Sequence, residues 1–306
     1  MDTLFIKGFV RDVIYTPCFT TNKFQVYDIT DFDINKAPGS GLINLGTSEN
    51  NLAYSKWVSP KRTRTYPFAR IYDTYHLNLK KVTIIPIIKD EGAGTQNNDR
   101  INFITFSWMN LLNIYVILTW YEDAERKPNT TDRITNQILN AEYVTEKLLE
   151  VSQYQMSALH WNTTHFEKDF ENVYMNAVES YKRISLSKNV KMHVPQNHIL
   201  KLEKFKKDGS FCLENFKYAT LPASHSAALR ESVTVHELEA LDQHAKGVFS
   251  IKNYLGGEYH LTADEIYWED GKLVIQESKN SSKKTLPSKN DIKDGLFKLI
   301  MFSNLT

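Results

Sequence analysis

The sequence predicts an α/β protein in which a mixed sheet is flanked by helices. The segment 82–89 is a continuous run of mostly β-branched apolar residues, which is typical of a strand covered on both faces. An aromatic-rich stretch that ends at Leu112 fits a helix, and 114–121 again has the pattern of a buried strand. Strand, helix and strand in this order form a β-α-β unit. Pro86 within the first run indicates an edge strand or a bulge.

Composition limits the class of protein. The chain has 306 residues, 42% of them hydrophobic, which is enough for one large domain or two ordinary ones. Its 37 basic and 36 acidic residues give a formal net charge of +1. The whole protein therefore has no field that attracts a polyanion, and any nucleic-acid surface must be local.

Cysteine usage and apolar runs indicate a cytoplasmic protein without a membrane segment. Cys18 and Cys212 are the only cysteines, too few for a disulfide framework or a thiolate metal site. The first residues lack the pattern of a secretory signal. The longest apolar runs fall far short of the roughly 20 residues that a membrane helix needs.

The middle of the chain divides at a predicted boundary near residue 190. Apolar positions at helical spacing, among them Ile134 and Ile138, predict two or three helices over 132–184. The lysine-rich stretch 188–207 has the composition of a linker or an exposed basic segment.

We therefore expect two regions. Residues 1–190 would form an N-terminal α/β and helical region for recognition or dimerisation, and 191–306 a second domain around a hairpin. Strands from 82–121 would complete the sheet of that second domain; otherwise the chain stops before the natural domain does.

A β-hairpin in 260–280 carries the main functional signal. Asp270-Gly271 stands between two strand-like runs, which is a strong hairpin pattern. With a two-residue loop, the pairing places Asp264 directly opposite Glu277, with Cβ atoms roughly 5 Å apart. Because side chains alternate along a strand, Lys279 shares the face of these two acids. The same face carries four apolar side chains: Ile266, Trp268, Leu273 and Ile275.

Two adjacent carboxylates favour a metal ion. They repel each other, and their removal from water is costly unless a cation joins them. Oxygen ligands suit Mg²⁺, which can also hold a phosphate oxygen and a water. Lys279 would then orient or deprotonate the attacking water, or stabilise charge on the phosphate. The alternative is an ordinary solvated turn with three surface charges.

This arrangement resembles the PD-(D/E)XK nuclease superfamily, in which an acid on one strand and an acid-x-Lys on the next form the site. The matching residues are Asp264 and Glu277-Ser278-Lys279, and their flanking segments are similar to those of type II restriction endonucleases. Ala263 stands where a proline often precedes the first acid. The resemblance covers about residues 225–306. It implies a restriction-endonuclease-like core, a Mg²⁺ cofactor held by the two acids, and the Ser278 carbonyl as a further ligand.

The resemblance also implies a third acid from the preceding helix. The sequence predicts a helix from about Ser226 to Ala245, with Gly247 as its C-cap. Glu231 falls within the apolar stripe of this helix, and a core-facing carboxylate needs a partner that a metal would supply. The alternative is a capped residue near a fraying helix end.

Three other groups of residues have competing interpretations. The histidines His225, His236, His244 and His260 lack the spacing of a known zinc motif. The segment Lys89-Asp90-Glu91 is either a second acidic site or a polar loop that shapes the domain. Five lysines near the hairpin exit form either a solvated face or contacts to a phosphate backbone: Lys279, Lys283, Lys284, Lys289 and Lys293.

The function implied by the resemblance is Mg²⁺-dependent hydrolysis of phosphodiesters in double-stranded DNA, as in a type II restriction endonuclease. A homodimer is expected, because two-fold symmetry is the simplest way to cut both strands. Two alternatives stay open: a repair or phage-defence nuclease with little sequence preference, and a DNA-binding protein on the same fold without catalysis.

Overall fold

A computed structural model describes residues 3–11, 13, 24–46, 51–60, 74–75, 77–94, 97–221, 245–278, 286–287 and 289–305. These residues form a mixed α/β structure with two main sheets. The strands are β1 (Thr3–Val10), β2 (Val26–Asp28), β3 (Ser40–Asn44), β4 (Leu52–Lys56), β5 (Lys80–Pro86), β6 (Ile88–Asp90), β7 (Asn98–Arg100), β8 (Ile114–Thr119), β9 (Tyr121–Arg126), β10 (Ile134–Leu139), β11 (Lys206–Lys207), β12 (Ser210–Phe211), β13 (Ala245–Asn253), β14 (Glu258–Glu269) and β15 (Lys272–Gln276). The helices are α1 (Phe103–Leu111), α2 (Ala141–Gln153), α3 (Ala158–Lys188), α4 (Pro195–Glu203), α5 (213–221) and α6 (Lys289–Ser303).

The first sheet contains five strands in the order β2-β3-β4-β5-β8. β5 runs parallel to both β4 and β8, and α1 connects β5 to β8 in the chain, so the predicted β-α-β unit is confirmed. Every residue of β8 is buried. Pro86 does not mark an edge strand, because β5 lies inside the sheet; Pro86 is its last residue, and the next amide, Ile87 N, donates to Thr119 O.

Helix α3 covers the open edge of β8. Asn162 Oδ1 accepts from Val116 N at 2.6 Å, and Asn162 Nδ2 donates to Ile114 O at 2.9 Å. His165 Nε2 accepts from Leu118 N at 3.1 Å. An edge strand otherwise presents backbone groups to other chains. These side chains bond the backbone groups at the β8 edge and so prevent another strand from pairing there.

The helices predicted over 132–184 are confirmed in part. α2 and α3 occupy most of this range, but Ile134–Leu139 is β10, which pairs antiparallel with β9. The lysine-rich stretch is also more ordered than a linker. α4 lies within it and packs on α3, where Tyr174 Oη donates to His198 O at 3.2 Å.

The second sheet has the order β1-β13-β14-β15. β1 pairs parallel with β13, and the other two pairings are antiparallel. The strands of 82–121 belong to the first sheet instead, so the expectation that they complete the hairpin's sheet was wrong; β1, from the other end of the chain, does so. α6 packs on this sheet through Phe302, whose ring centroid lies 4.3 Å from that of Phe249.

Gly247 is a strand residue and not a helix cap. It lies in β13, where an added Cβ would stand 2.0 Å from Ile266 Cδ1 on β14. Close packing between neighbouring strands explains the glycine. The predicted helix from Ser226 falls almost entirely outside the described residues.

The two sheets meet through α1. Ser107 Oγ in α1 donates to Asn253 Oδ1 at the end of β13, at 3.0 Å, and Gly257 N donates to the same oxygen at 2.9 Å. In the described ranges, no helix has the length and apolar character needed to cross a membrane.

Candidate metal centre at the β14–β15 hairpin

The predicted register of the hairpin is confirmed. Glu269 pairs with Lys272, and the pairing continues without a shift to Glu265 and Gln276. Asp270 and Gly271 both have positive φ, 48° and 74°, as a two-residue type I′ turn requires. The local Asp-Gly signal therefore fixes which residues face each other along both strands.

Extended by one position beyond the Glu265–Gln276 pair, this register puts Asp264 opposite Glu277. Asp264 lies in β14 one residue before the last described pair, and Glu277 directly follows β15. Ser278 N donates to Asp264 Oδ2 at 2.6 Å, which continues the contact between the strands beyond Gln276. Asp264 is exposed, whereas only 1% of the Glu277 side chain is exposed. One carboxylate thus faces solvent while its neighbour is enclosed.

Lys298 on α6 provides a positive charge that the sequence reasoning missed. Its Nζ donates to Glu277 Oε1 at 2.7 Å and to Thr262 O at 2.9 Å. The Lys298 side chain is 13% exposed. The ion pair offsets part of the cost of burying Glu277. One signal could have revealed it, because Lys298 stands between the buried apolar residues Phe297 and Met301 of a helix that was itself predicted.

The apolar face beside the acids is covered only in part. Ile266 is buried, and Leu273 and Ile275 are partly buried against the core. Trp268, which the alternation assigns to the same face, is 71% exposed next to the turn. The hairpin tip therefore extends past its cover, and the enclosed carboxylate of Glu277 lies at the opposite end of the hairpin.

The described donors suit a hard divalent cation but do not complete a site. Asp264 and Glu277 supply carboxylate oxygens, which Mg²⁺ prefers. Glu231 and Lys279 lie outside the described residues. Within the described part of the chain, no three His, Cys, Asp or Glu side chains are grouped so that they could hold a metal ion. Of the lysines near the hairpin exit, no side chain is described.

The segment Lys89–Glu91 contains a buried polar network around Asp90. The carboxylate is fully buried and accepts three hydrogen bonds: from Gly92 N at 3.0 Å, His193 Nδ1 at 2.9 Å and His198 Nε2 at 3.2 Å. Burial raises the pKa of Asp90, but these hydrogen bonds outweigh it and hold the pKa below its usual value. The network ties three chain segments together, as expected of a loop that shapes the domain.

The protonation of His198 follows from its two partners. Arg100 Nη2 lies 3.0 Å from His198 Nδ1, and a guanidinium can only donate. The proton of the imidazole must therefore be on Nε2, where it is donated to Asp90. Burial lowers the pKa of His198, the Asp90 hydrogen bond opposes this, and the charge of Arg100 adds to it. His198 is therefore neutral in the folded protein at neutral pH.

Comparisons of the chain with protein families, with curated proteins and with solved structures gave no match.

Proposed function

We propose that this protein is a Mg²⁺-dependent nuclease that hydrolyses phosphodiester bonds of double-stranded DNA, with its site at the β14–β15 hairpin. One observation supports the proposal: the hairpin register, extended by one position beyond its last pair, puts the exposed Asp264 opposite the enclosed Glu277. A carboxylate pair of this kind, at the end of an apolar face, is stabilised by a shared cation.

In this proposal Asp264, Glu277 and the Ser278 carbonyl hold Mg²⁺, and Glu231 is a third acid. Bound Mg²⁺ lowers the pKa of a water and neutralises charge on the phosphate. Glu277 Oε1 is engaged by Lys298, so Glu277 would reach the ion through Oε2. Lys279 orients the attacking water or stabilises the charge that develops on the phosphate.

The biological setting that fits best is a type II restriction endonuclease. Residues 1–190 would recognise the target or form a homodimer, because duplex cleavage on both strands suits two-fold symmetry. A repair or phage-defence nuclease shares the chemistry but has little sequence preference. Digestion of a plasmid by the purified protein with Mg²⁺ distinguishes them: discrete fragments indicate sequence recognition, and a smear indicates none. An intact plasmid contradicts both nucleases.

The Lys298–Glu277 pair favours a second candidate, a DNA-binding protein on the same fold without catalysis. The ammonium binds one oxygen of the buried carboxylate in the absence of a metal ion. In this case the hairpin is a structural element and Asp264 is a surface charge.

Replacement of Lys298 separates the two candidates. Loss of one partner of a buried ion pair costs about 3–5 kcal/mol, and a cation that binds the folded state offsets such a loss. If Mg²⁺ binds at Glu277, it raises the melting temperature of Lys298→Met more than that of the parent protein. Equal shifts support the non-catalytic candidate. Lys252→Met is the control, because the Lys252 side chain is 64% exposed and pairs with Glu258 at 3.9 Å.

A further inference from the structure

The segment 188–207 is strongly basic and has no role in the hairpin site. It contains six lysines and one acidic residue, Glu203, although the whole chain has a net charge of +1. The lysines are Lys188, Lys191, Lys201, Lys204, Lys206 and Lys207. Because α4 forms within this segment, the fold determines which of these charges share a surface.

Arg100, Lys201 and Lys204 come together on one side of α4, which we call the α4 basic face. Arg100 Nη2 contacts His198 Nδ1 at 3.0 Å, and Lys201 follows His198 by one helical turn. Lys204 follows Lys201 by three positions, so both project from the same side of the helix. Both lysines are exposed. Partial desolvation of its ammonium, together with the charges of Arg100 and Lys204, lowers the pKa of Lys201.

Acidic groups nearby are already engaged. Glu203, the only acid in α4, accepts an ion pair from Lys206 at 3.0 Å, and Lys206 also binds Glu171 at 2.6 Å. Asp90 is fully buried and saturated by its three hydrogen bonds. Like charges that repel each other at a surface are relieved by a polyanion, which releases counterions when it binds.

The α4 basic face is also held in a fixed orientation. Asp90 binds His193, which precedes α4, and His198, which lies within it, so the helix is attached at two points. Gln137 Nε2 donates to Asp90 O at 2.9 Å and Tyr181 Oη accepts from Asp90 N at 2.9 Å, which fixes Asp90 itself. A rigid array of cations is suited to a ligand with regularly spaced charges.

We propose that the α4 basic face binds the phosphate backbone of duplex DNA. Such contacts position a protein on DNA without reading its sequence. The proposed nuclease activity motivates the choice of DNA as the polyanion, but the binding itself needs neither Mg²⁺ nor the hairpin acids. The two proposals can therefore fail separately.

The test is the affinity of the full chain for a fluorescently labelled DNA duplex, measured by anisotropy in EDTA over a range of salt concentrations. The test variant is Lys201→Gln/Lys204→Gln. The control is Lys182→Gln/Lys188→Gln, which removes the same charge from lysines paired with Glu179 and Asp123 on another surface. Thermal unfolding establishes that both variants are folded.

Each lost phosphate contact lowers the slope of log K against log salt by about 0.9. For Lys201→Gln/Lys204→Gln we expect this negative slope to become shallower by about 1.8 and the affinity for DNA to fall roughly 60-fold at about 0.1 M salt. The control variant should stay close to the parent in both quantities. Equal losses in both variants, no loss in either, or no binding by the parent would each overturn the proposal. If neither variant loses affinity, the two lysines only complement the C-terminal end of the helix dipole. Binding without cleavage in Mg²⁺ would refute the nuclease and leave this inference standing.

Discussion

Replacement of Asp90 by asparagine tests whether the buried network joins β6 to α4 and the residues just before α4. The carboxylate accepts from Gly92 and His193 through Oδ1 and from His198 through Oδ2. In Asp90→Asn, an amide oxygen can keep the first two donors, but the amide NH₂ then faces the N–H of His198. A change of tautomer gives no relief, because it turns the other imidazole N–H toward Arg100, which can only donate.

The expected loss of stability is about 3–5 kcal/mol. An unsatisfied buried donor costs about 1–3 kcal/mol, and hydrogen bonds to a charged acceptor are worth about 1.5–3 kcal/mol against about 0.5–1.5 kcal/mol for neutral ones. Urea unfolding followed by tryptophan fluorescence measures this loss. The matched control is Asp123→Asn, since Asp123 forms an exposed ion pair with Lys188 at 3.3 Å whose loss costs less than about 1 kcal/mol.

The pH dependence gives a second check on Asp90. The pKa of Asp90 in the folded protein lies below 3.8, its usual value. The stability that the ionised carboxylate contributes is therefore complete above the pKa of the unfolded state and is lost as the pH falls through the pKa of the folded state. The difference in unfolding free energy between parent and Asp90→Asn should therefore narrow as the pH falls below about 4. A loss under about 1 kcal/mol at neutral pH, or a difference that does not narrow below about pH 4, would refute the description of this network.

Three further predictions concern other parts of the fold. The folded pKa of His198 lies below 6.5, so the stability that neutral His198 contributes is complete above pH 6.5 and is lost as the pH falls. The urea midpoints at neutral and mildly acidic pH should therefore differ less in His198→Gln than in the parent. An equal difference in the two proteins would count against a neutral His198. Asn162→Leu should cost about 2–4 kcal/mol and promote aggregation seen by light scattering, because it uncovers the β8 edge; unchanged urea midpoints would contradict this. Gly247→Ala should lower the melting temperature, since overpacking costs about 1–3 kcal/mol, and Ile266→Val should restore part of it; absence of rescue would remove the contact as the cause.

The hairpin could be predicted because its signals are local. The turn residues Asp270 and Gly271 adopt positive φ in the structure, and alternation along each strand then determines the register. The buried strands around α1 were likewise predicted, because continuous β-branched runs rarely fit anything except a covered strand.

The errors arose where the deciding contact is distant in sequence. Ile134 and Ile138 fit the spacing of a helix as well as a short strand, and only pairing with β9 decides between them. The parallel pairing of β1 with β13 joins opposite ends of the chain, which no local pattern indicates. Lys298 was missed for the same reason, since its role depends on how α6 packs against the hairpin.

The measurement that tests the central claim most directly is the Mg²⁺-dependent cleavage rate of a supercoiled plasmid by the parent protein and by Glu277→Gln, with DNA affinity measured in EDTA for both. The proposal predicts that the parent cleaves the plasmid and that EDTA abolishes cleavage. Glu277→Gln should lose at least about 100-fold in cleavage rate, because removal of an electrostatic group at a catalytic centre has an effect of this size. Its DNA affinity should be unchanged. Cleavage by Glu277→Gln at the parent rate would contradict the assignment of the site, and a parent protein that binds DNA without cutting it would contradict the nuclease.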